Sequence, residues 1–130
     1  MTATFITAGC LGILLLVLSG WVIAARAKYG IGIGDGGNED MALRVRTHAN
    51  FIEYVPLALV LIMLVESGKV GPSWLPAALG GTLVVSRLLH AQGLLKSRGV
   101  SPGRFIGTNL TFLVLLAGSG ALLGRGAGFW

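Results

Sequence analysis

Four long apolar segments constrain this sequence more than any other feature. The first runs from Thr4 to Ala25 without a charged residue, which is long enough for the approximately 20 residues that a helix needs to cross bilayer hydrocarbon. Only 12% of the 130 residues are charged, about half the fraction of an ordinary soluble domain. Because so short a chain exposes much of its surface, the apolar excess must face lipid. The sequence therefore predicts an all-α, integral membrane four-helix bundle.

The helices are expected to form one transmembrane domain over residues 1–130. No lysine or arginine precedes the first segment, which is also longer than a signal-peptide core, so it is expected to remain as a helix. Asn38 or Asp40 is suited to cap the second helix, and Gly71-Pro72 and Ser101-Pro102-Gly103 mark the turns before the third and fourth. The predicted helices span about residues 4–27, 40–67, 73–96 and 104–124.

Basic residues are distributed unequally between the two sides of the predicted bundle. Eight lie in or beside loops one and three, against Lys69 and Arg125 on the other side. The eight are Arg26, Lys28, Arg44, Arg46, Arg87, Lys96, Arg98 and Arg104. The positive-inside rule then predicts cytoplasmic loops and both termini on the non-cytoplasmic side. Nucleic-acid binding is not expected, because no soluble module presents these charges.

A polar stripe enters the second helix. Four residues at positions i, i+4, i+7 and i+8 share one helix face: Arg46, Asn50, Glu53 and Tyr54. An ionisable residue such as Glu53 within a membrane segment is costly unless it faces protein or a water-filled cavity, which makes it a functional-site candidate. An interhelical hydrogen-bond clamp is an equally supported alternative, with Arg87 or His90 of the third helix as the partner of Glu53.

Three other patterns carry little functional information. The run Gly32-Ile33-Gly34-Asp35-Gly36-Gly37 fits the glycine fingerprint of dinucleotide sites, but it lacks the preceding strand and is interpreted as a flexible connection. His48, His90 and Glu53 lack metal-ligand spacing, so no metal site is expected. Cys10 is the single cysteine and gives no disulfide framework or redox motif.

The stretch Arg46-Thr47-His48-Ala49-Asn50-Phe51-Ile52-Glu53-Tyr54-Val55-Pro56 resembles the signature of the MAPEG family, the membrane-associated proteins in eicosanoid and glutathione metabolism. The spacing Arg-x3-Asn-x2-Glu-Tyr-x-Pro carries the resemblance. Gly34-Asp35-Gly36-Gly37 and Arg87-Leu88-Leu89-His90-Ala91-Gln92-Gly93 are similar to the bacterial branch. The likeness covers nearly the whole chain. It implies a homotrimer in a bacterial inner membrane, with glutathione bound between neighbouring protomers near loop one.

Carried over residue by residue, the resemblance implies a glutathione-binding pocket. Arg46 would hold a carboxylate of glutathione, while Asn50 and Glu53 would hold its polar backbone and amine. Arginine suits the first task because it can grip a carboxylate through two hydrogen bonds. The pocket would be completed by three further residues, Tyr54, Arg26 and His90.

The resemblance also implies a place for thiol activation. Positive charge beside a thiol lowers its pKa and makes it a nucleophile at neutral pH. Arg104 is the first candidate for this catalytic role and Arg98 the second. His90 and Leu94 stand where eicosanoid-synthesising members carry tyrosines, which puts the thiol end of the site in doubt.

Two functions are compatible with these residues. The first is a glutathione-dependent enzyme, similar to microsomal glutathione transferases, which conjugates or reduces hydrophobic electrophiles dissolved in membrane lipid and uses glutathione as co-substrate. The alternative is a non-catalytic membrane protein that binds a lipid or a partner helix in the same intersubunit cleft. The charged residues of the stripe favour a polar zwitterionic ligand and therefore the enzyme.

Overall fold

The computed structural model describes residues 1–96 and 101–129, which form four α-helices. Their bounds are α1 Thr2–Tyr29, α2 Glu39–Ser67, α3 Leu75–Lys96 and α4 Pro102–Gly126. Each helix begins and ends within two residues of its expected position. The described residues contain no strand, so the prediction of an all-α fold is confirmed.

The helices have the composition of a membrane protein. Within the described ranges, α1, α2 and α4 are long and apolar enough to cross a bilayer. α3 has 22 residues and contains Arg87 and His90, both of which are buried against the other helices. Large apolar side chains such as Phe5, Leu16 and Leu116 are exposed on the outside, as expected where hydrocarbon is the solvent. The chain is therefore an integral membrane helical bundle.

α2 and α3 lie at the centre of the bundle. α1 packs against both of them, and α4 also packs against both, but α1 and α4 do not touch each other within the described residues. The outer helices therefore lie on opposite sides of the central pair. The apolar core between them includes Leu11, Leu18, Ala58, Ile62 and Leu83.

Local signals in the sequence set the starts of two helices. Oδ1 of Asn38 accepts a hydrogen bond from the backbone N–H of Met41 at 3.0 Å, so Asn38 rather than Asp40 caps α2. Oγ of Ser101 accepts from the backbone N–H of Arg104 at 3.3 Å and caps α4. Both caps satisfy N–H groups that have no partner within the helix.

Glycines allow α3 and α4 to approach each other closely. A Cβ atom added at Gly107 would lie 2.6 Å from the carbonyl oxygen of Ser86 and 2.7 Å from the backbone nitrogen of His90. Gly93 and Gly103 meet in the same contact. Small residues permit such close packing between membrane helices. The approach brings polar side chains of the two helices within hydrogen-bonding distance.

Candidate functional site

A buried polar cluster lies where α2, α3 and α4 meet, with Arg87 at its centre. Nη2 of Arg87 donates to Oδ1 of Asn50 at 2.6 Å and lies 3.2 Å from Nδ1 of His90. Nη1 donates to Oγ1 of Thr111 at 3.3 Å. The guanidinium also lies 5.9 Å from the centre of the Phe51 ring, within the range of a cation–π interaction. Arg87 therefore links all three helices.

Arg87 is a buried cation without a carboxylate partner in the part of the chain that the structure describes. It is only 2% exposed, and its Nε–H has no acceptor among those residues. Burial of a charge is costly unless hydrogen bonds or an opposite charge compensate it. The contacts with Asn50, His90 and Thr111 are the compensation that the described residues supply.

Glu53 pairs with Arg46 on the outer face of α2. Nη1 of Arg46 lies 3.2 Å from Oε1 of Glu53, and the two side chains are 59% and 44% exposed. The alternative in which Arg87 or His90 is the partner of Glu53 is wrong, because both are buried while Glu53 faces outward and pairs with Arg46. A charged pair on the open surface of a membrane helix requires protein, water or a ligand beside it.

Tyr54 and Arg104 lie beside the same cluster. Tyr54 is half-buried, and its ring packs edge-on against Phe112 of α4 with 5.7 Å between ring centres. The Arg104 side chain is exposed in the first turn of α4, where the backbone nitrogen of Arg104 packs against Gly93 of α3, three residues after His90. The structure therefore brings together six of the predicted site residues, namely Arg46, Asn50, Glu53, Tyr54, His90 and Arg104.

Two predicted site residues are not part of this group. Arg26 lies near the end of α1, where its Nη1 donates at 3.0–3.3 Å to three carbonyl groups of loop one, those of Ile31, Gly32 and Gly34. These contacts hold the glycine-rich loop against α1, and a role of Arg26 in ligand binding stays a prediction. Arg98, the second catalytic candidate, lies outside the described residues, as does the side chain of Leu94.

The two histidines lie in different surroundings. Nε2 of His48 lies 3.0 Å from Oγ of Ser19 on α1, whereas His90 faces Arg87 between α3 and α4. The described residues contain no group of three histidine, cysteine or acidic side chains that could hold a metal ion.

Sequence reasoning missed Ser86 and Thr111. Both are fully buried, and their hydroxyl oxygens lie 3.0 Å apart next to Arg87. Thr111 also donates to the carbonyl oxygen of Gly107, one turn earlier, at 2.9 Å. The spacing of Gly107 and Thr111, one helical turn apart, could have indicated this contact. The glycine marks the face of α4 that approaches another helix, and Thr111 lies on the same face.

The largest of the described cavities lies at the opposite end of the bundle from the polar cluster. Its volume is about 610 Å³, and it lies between the start of α1 and the α2–α3 turn. Glu66 lines it, but its carboxylate already accepts hydrogen bonds from the backbone of Ala3 and from the backbone and hydroxyl of Thr4 at 2.6–3.0 Å. This cavity is therefore separate from the polar cluster, which shares no lining residue with it.

The sequence is similar to known membrane proteins. A sequence model of the MAPEG family matches residues 4–124. The inner membrane protein YecN of Escherichia coli K12 is 33% identical over 81 residues, which are 62% of this chain and 61% of YecN. YecN of Escherichia coli O6:H1 matches to the same extent. The matched part therefore covers less than two thirds of these relatives.

Proposed function

The chain belongs to the MAPEG family, and from that premise we propose that it binds glutathione and acts as a glutathione-dependent enzyme on hydrophobic electrophiles. The observation that carries this proposal is the exposed Arg46–Glu53 pair on a membrane helix. Glutathione has two carboxylates and one ammonium group. Arg46 is suited to hold a carboxylate through paired hydrogen bonds, and Glu53 is suited to accept from the ammonium.

The charge balance of the cluster supports an anionic ligand. The cluster and the outer face beside it hold three arginines, Arg46, Arg87 and Arg104, whereas the acidic residue there among the described residues is Glu53, which pairs with Arg46. Glutathione is net anionic, and its thiolate form carries one more negative charge than its thiol form. An excess of positive charge therefore favours binding and also favours loss of the thiol proton.

The proposed reaction is a nucleophilic substitution or addition at a carbon atom of the electrophile. The thiolate forms the new C–S bond. In a substitution the leaving group departs with the electron pair of the bond that breaks, and in an addition the π bond breaks and its electron pair takes up a proton from water. Arg104 is the candidate that stabilises the sulfur anion, because it is exposed at the start of α4 beside the cluster. Hydrophobic substrates would reach the site from the lipid, where they concentrate.

The proposed protein is a homotrimer with glutathione between neighbouring protomers. The Arg46–Glu53 pair supports this arrangement, since its exposed face on the single chain would be covered by a second subunit. Its proposed location is the bacterial inner membrane, where the name of the Escherichia coli relatives places those proteins. Loops one and three would then face the cytoplasm and both termini the other side.

One observation favours the alternative, a non-catalytic protein that holds a lipid or a partner helix in the same cleft. His90 occupies a tyrosine position of the eicosanoid-synthesising members, is 2% exposed and already contacts Arg87 through Nδ1. The His90 ring is therefore less able to donate a hydrogen bond to a sulfur atom than an exposed tyrosine hydroxyl would be. Such a site could retain a ligand without activating a thiol.

Thiolate formation and turnover decide between these functions. We expect the reconstituted protein to show the ultraviolet absorbance of bound glutathione thiolate and to conjugate chlorodinitrobenzene with release of chloride. Arg104→Ala should lose both signals while it still binds glutathione, whereas Arg125→Ala, at the other end of α4, should keep them. The same loss in Arg98→Ala would move the role to Arg98. Binding without thiolate or turnover would support the non-catalytic alternative.

A further inference from the structure

The chemistry of Arg87 determines how its neighbours can be oriented. A guanidinium has only N–H donors and no acceptor. Any polar atom within hydrogen-bonding distance of it must therefore accept. Arg87 is buried at the centre of the cluster, and its Nη2 contacts two residues of the proposed site, Asn50 and His90.

The first consequence concerns the amide of Asn50. Its Oδ1 lies 2.6 Å from Nη2 of Arg87, so the amide oxygen faces the interior and Nδ2 faces away from Arg87. Nδ2 makes no hydrogen bond to any described residue, and Asn50 is half-buried. Asn50 therefore offers a ligand N–H donors and no acceptor.

The second consequence concerns the imidazole of His90. Its Nδ1 lies 3.2 Å from the same Nη2 and must accept, so the ring is neutral and carries its proton on Nε2. His90 is thereby restricted to donating through Nε2–H. The buried guanidinium of Arg87 thus determines which atom of Asn50 and which atom of His90 accepts a hydrogen bond, although the two residues lie on different helices.

We propose that Arg87 is a positioning residue that holds the half-buried Asn50 as a hydrogen-bond donor and so makes the site selective for anionic groups such as carboxylate, while the tautomer of His90 reports the same contacts of Arg87. The selectivity for anionic groups depends on the proposed glutathione site being correct. The orientation of the Asn50 and His90 side chains follows from the contacts of Arg87 alone. Arg87 and His90 are each 2% exposed and too deeply buried to contact the ligand, so Arg87 acts through Asn50. Without Arg87, the Asn50 amide is free to turn over and present its oxygen, which repels a carboxylate.

Asn50→Asp separates this role from simple packing. Aspartate keeps an acceptor towards Arg87 and supplies the carboxylate that Arg87 lacks, while the outward N–H donors become an acceptor. We expect the melting temperature without ligand to rise, because a buried charge gains a counter-ion. We expect the Kd for glutathione to increase at least about tenfold, because a hydrogen bond to a charged group is replaced by repulsion.

Asn109→Asp is the matched control. Asn109 is exposed on α4, and its Nδ2 donates to the carbonyl oxygen of Phe105 within its own helix. This variant makes the same chemical change outside the cluster and should leave the Kd unchanged. Greater stability of Asn50→Asp with an unchanged Kd would overturn the donor role. Lower stability of Asn50→Asp would overturn the orientation of Asn50 towards Arg87.

Nitrogen-15 NMR of labelled histidine gives a readout that needs no ligand. The wild-type protein should show His90 with Nε2 protonated and Nδ1 unprotonated, and His48→Gln identifies which signals belong to His90. Arg87→Met removes the hydrogen-bond donor at similar side-chain volume and should produce a mixture of the two His90 tautomers. If this variant does not fold, the wild-type spectrum still shows which ring nitrogen of His90 is protonated. Protonated Nδ1 in the wild type overturns the inference. Absence of glutathione binding with the expected spectrum would instead refute the proposed function.

Discussion

Replacement of Gly107 by alanine tests whether the close contact of α3 and α4 holds the polar cluster together. The new Cβ atom would lie 2.6 Å from the carbonyl oxygen of Ser86 and 2.8 Å from Cβ of His90. Ordinary van der Waals contact begins near 3.4 Å. The helices must therefore move apart locally by about 0.8 Å, the difference between 3.4 and 2.6 Å.

This separation weakens the hydrogen bonds that cross the contact. The distance from Arg87 to Thr111 is already 3.3 Å, and the two hydroxyl groups of Ser86 and Thr111 lie 3.0 Å apart. Overpacking typically costs about 1–3 kcal/mol, and each lost hydrogen bond costs about 1 kcal/mol. The better helix propensity of alanine offsets about 1 kcal/mol. We expect the free energy of unfolding to fall by about 3 kcal/mol.

The free energy of unfolding can be measured by denaturant titration in mixed micelles, followed by tryptophan fluorescence. Gly120→Ala is the matched control, because it lies on the same helix and its added Cβ would meet nothing within 4 Å. Its stability should stay the same or rise slightly. Equal stabilities of the two alanine variants would refute the close contact as the element that holds the cluster.

A reporter that functions only in the cytoplasm should be active in loops one and three and silent at both termini, since basic loops stay inside; the reverse pattern would contradict the topology. Mass measurement in mild detergent should give a trimer, and a stable monomer would argue against a site shared between protomers. Arg87→Leu should lower the melting temperature without ligand, because it leaves buried polar neighbours without a partner, whereas Glu53→Gln should fold normally because the Glu53 side chain is 44% exposed. The opposite ranking would exchange the structural and functional roles of these two residues.

The positions of the helices could be predicted because their signals are local. Uninterrupted apolar segments, the Asn38 cap and the turn before Pro102 all lie within a few residues of the feature that they determine. The shared face of Arg46 and Glu53 likewise follows from helix periodicity, and the structure places the two side chains in contact at 3.2 Å.

The partners of the charged residues could not be predicted in the same way. Whether Glu53 pairs along its own helix or across to α3 depends on the rotation of α2, which is set by the burial of Phe51 and Val55 in the core. The contact of Arg87 with Thr111 joins residues 24 positions apart. It depends on the close approach of α3 at Gly107. The spacing of Gly107 and Thr111 marks a packing face of α4 but does not say which helix packs there.

The melting temperature of the reconstituted protein with and without glutathione tests most directly whether the Arg46–Glu53 pair holds this ligand. Glutathione at a hundredfold excess over its Kd should stabilise the folded state by about 2.7 kcal/mol and raise the melting temperature. S-methylglutathione should protect as well, because the proposed contacts involve the peptide ends and not the sulfur. Arg46→Ala should lose the effect, whereas Arg44→Ala, which removes an arginine paired with Asp40 on the same helix, should keep it. No rise at millimolar glutathione, or equal protection of Arg46→Ala, would contradict the proposed site.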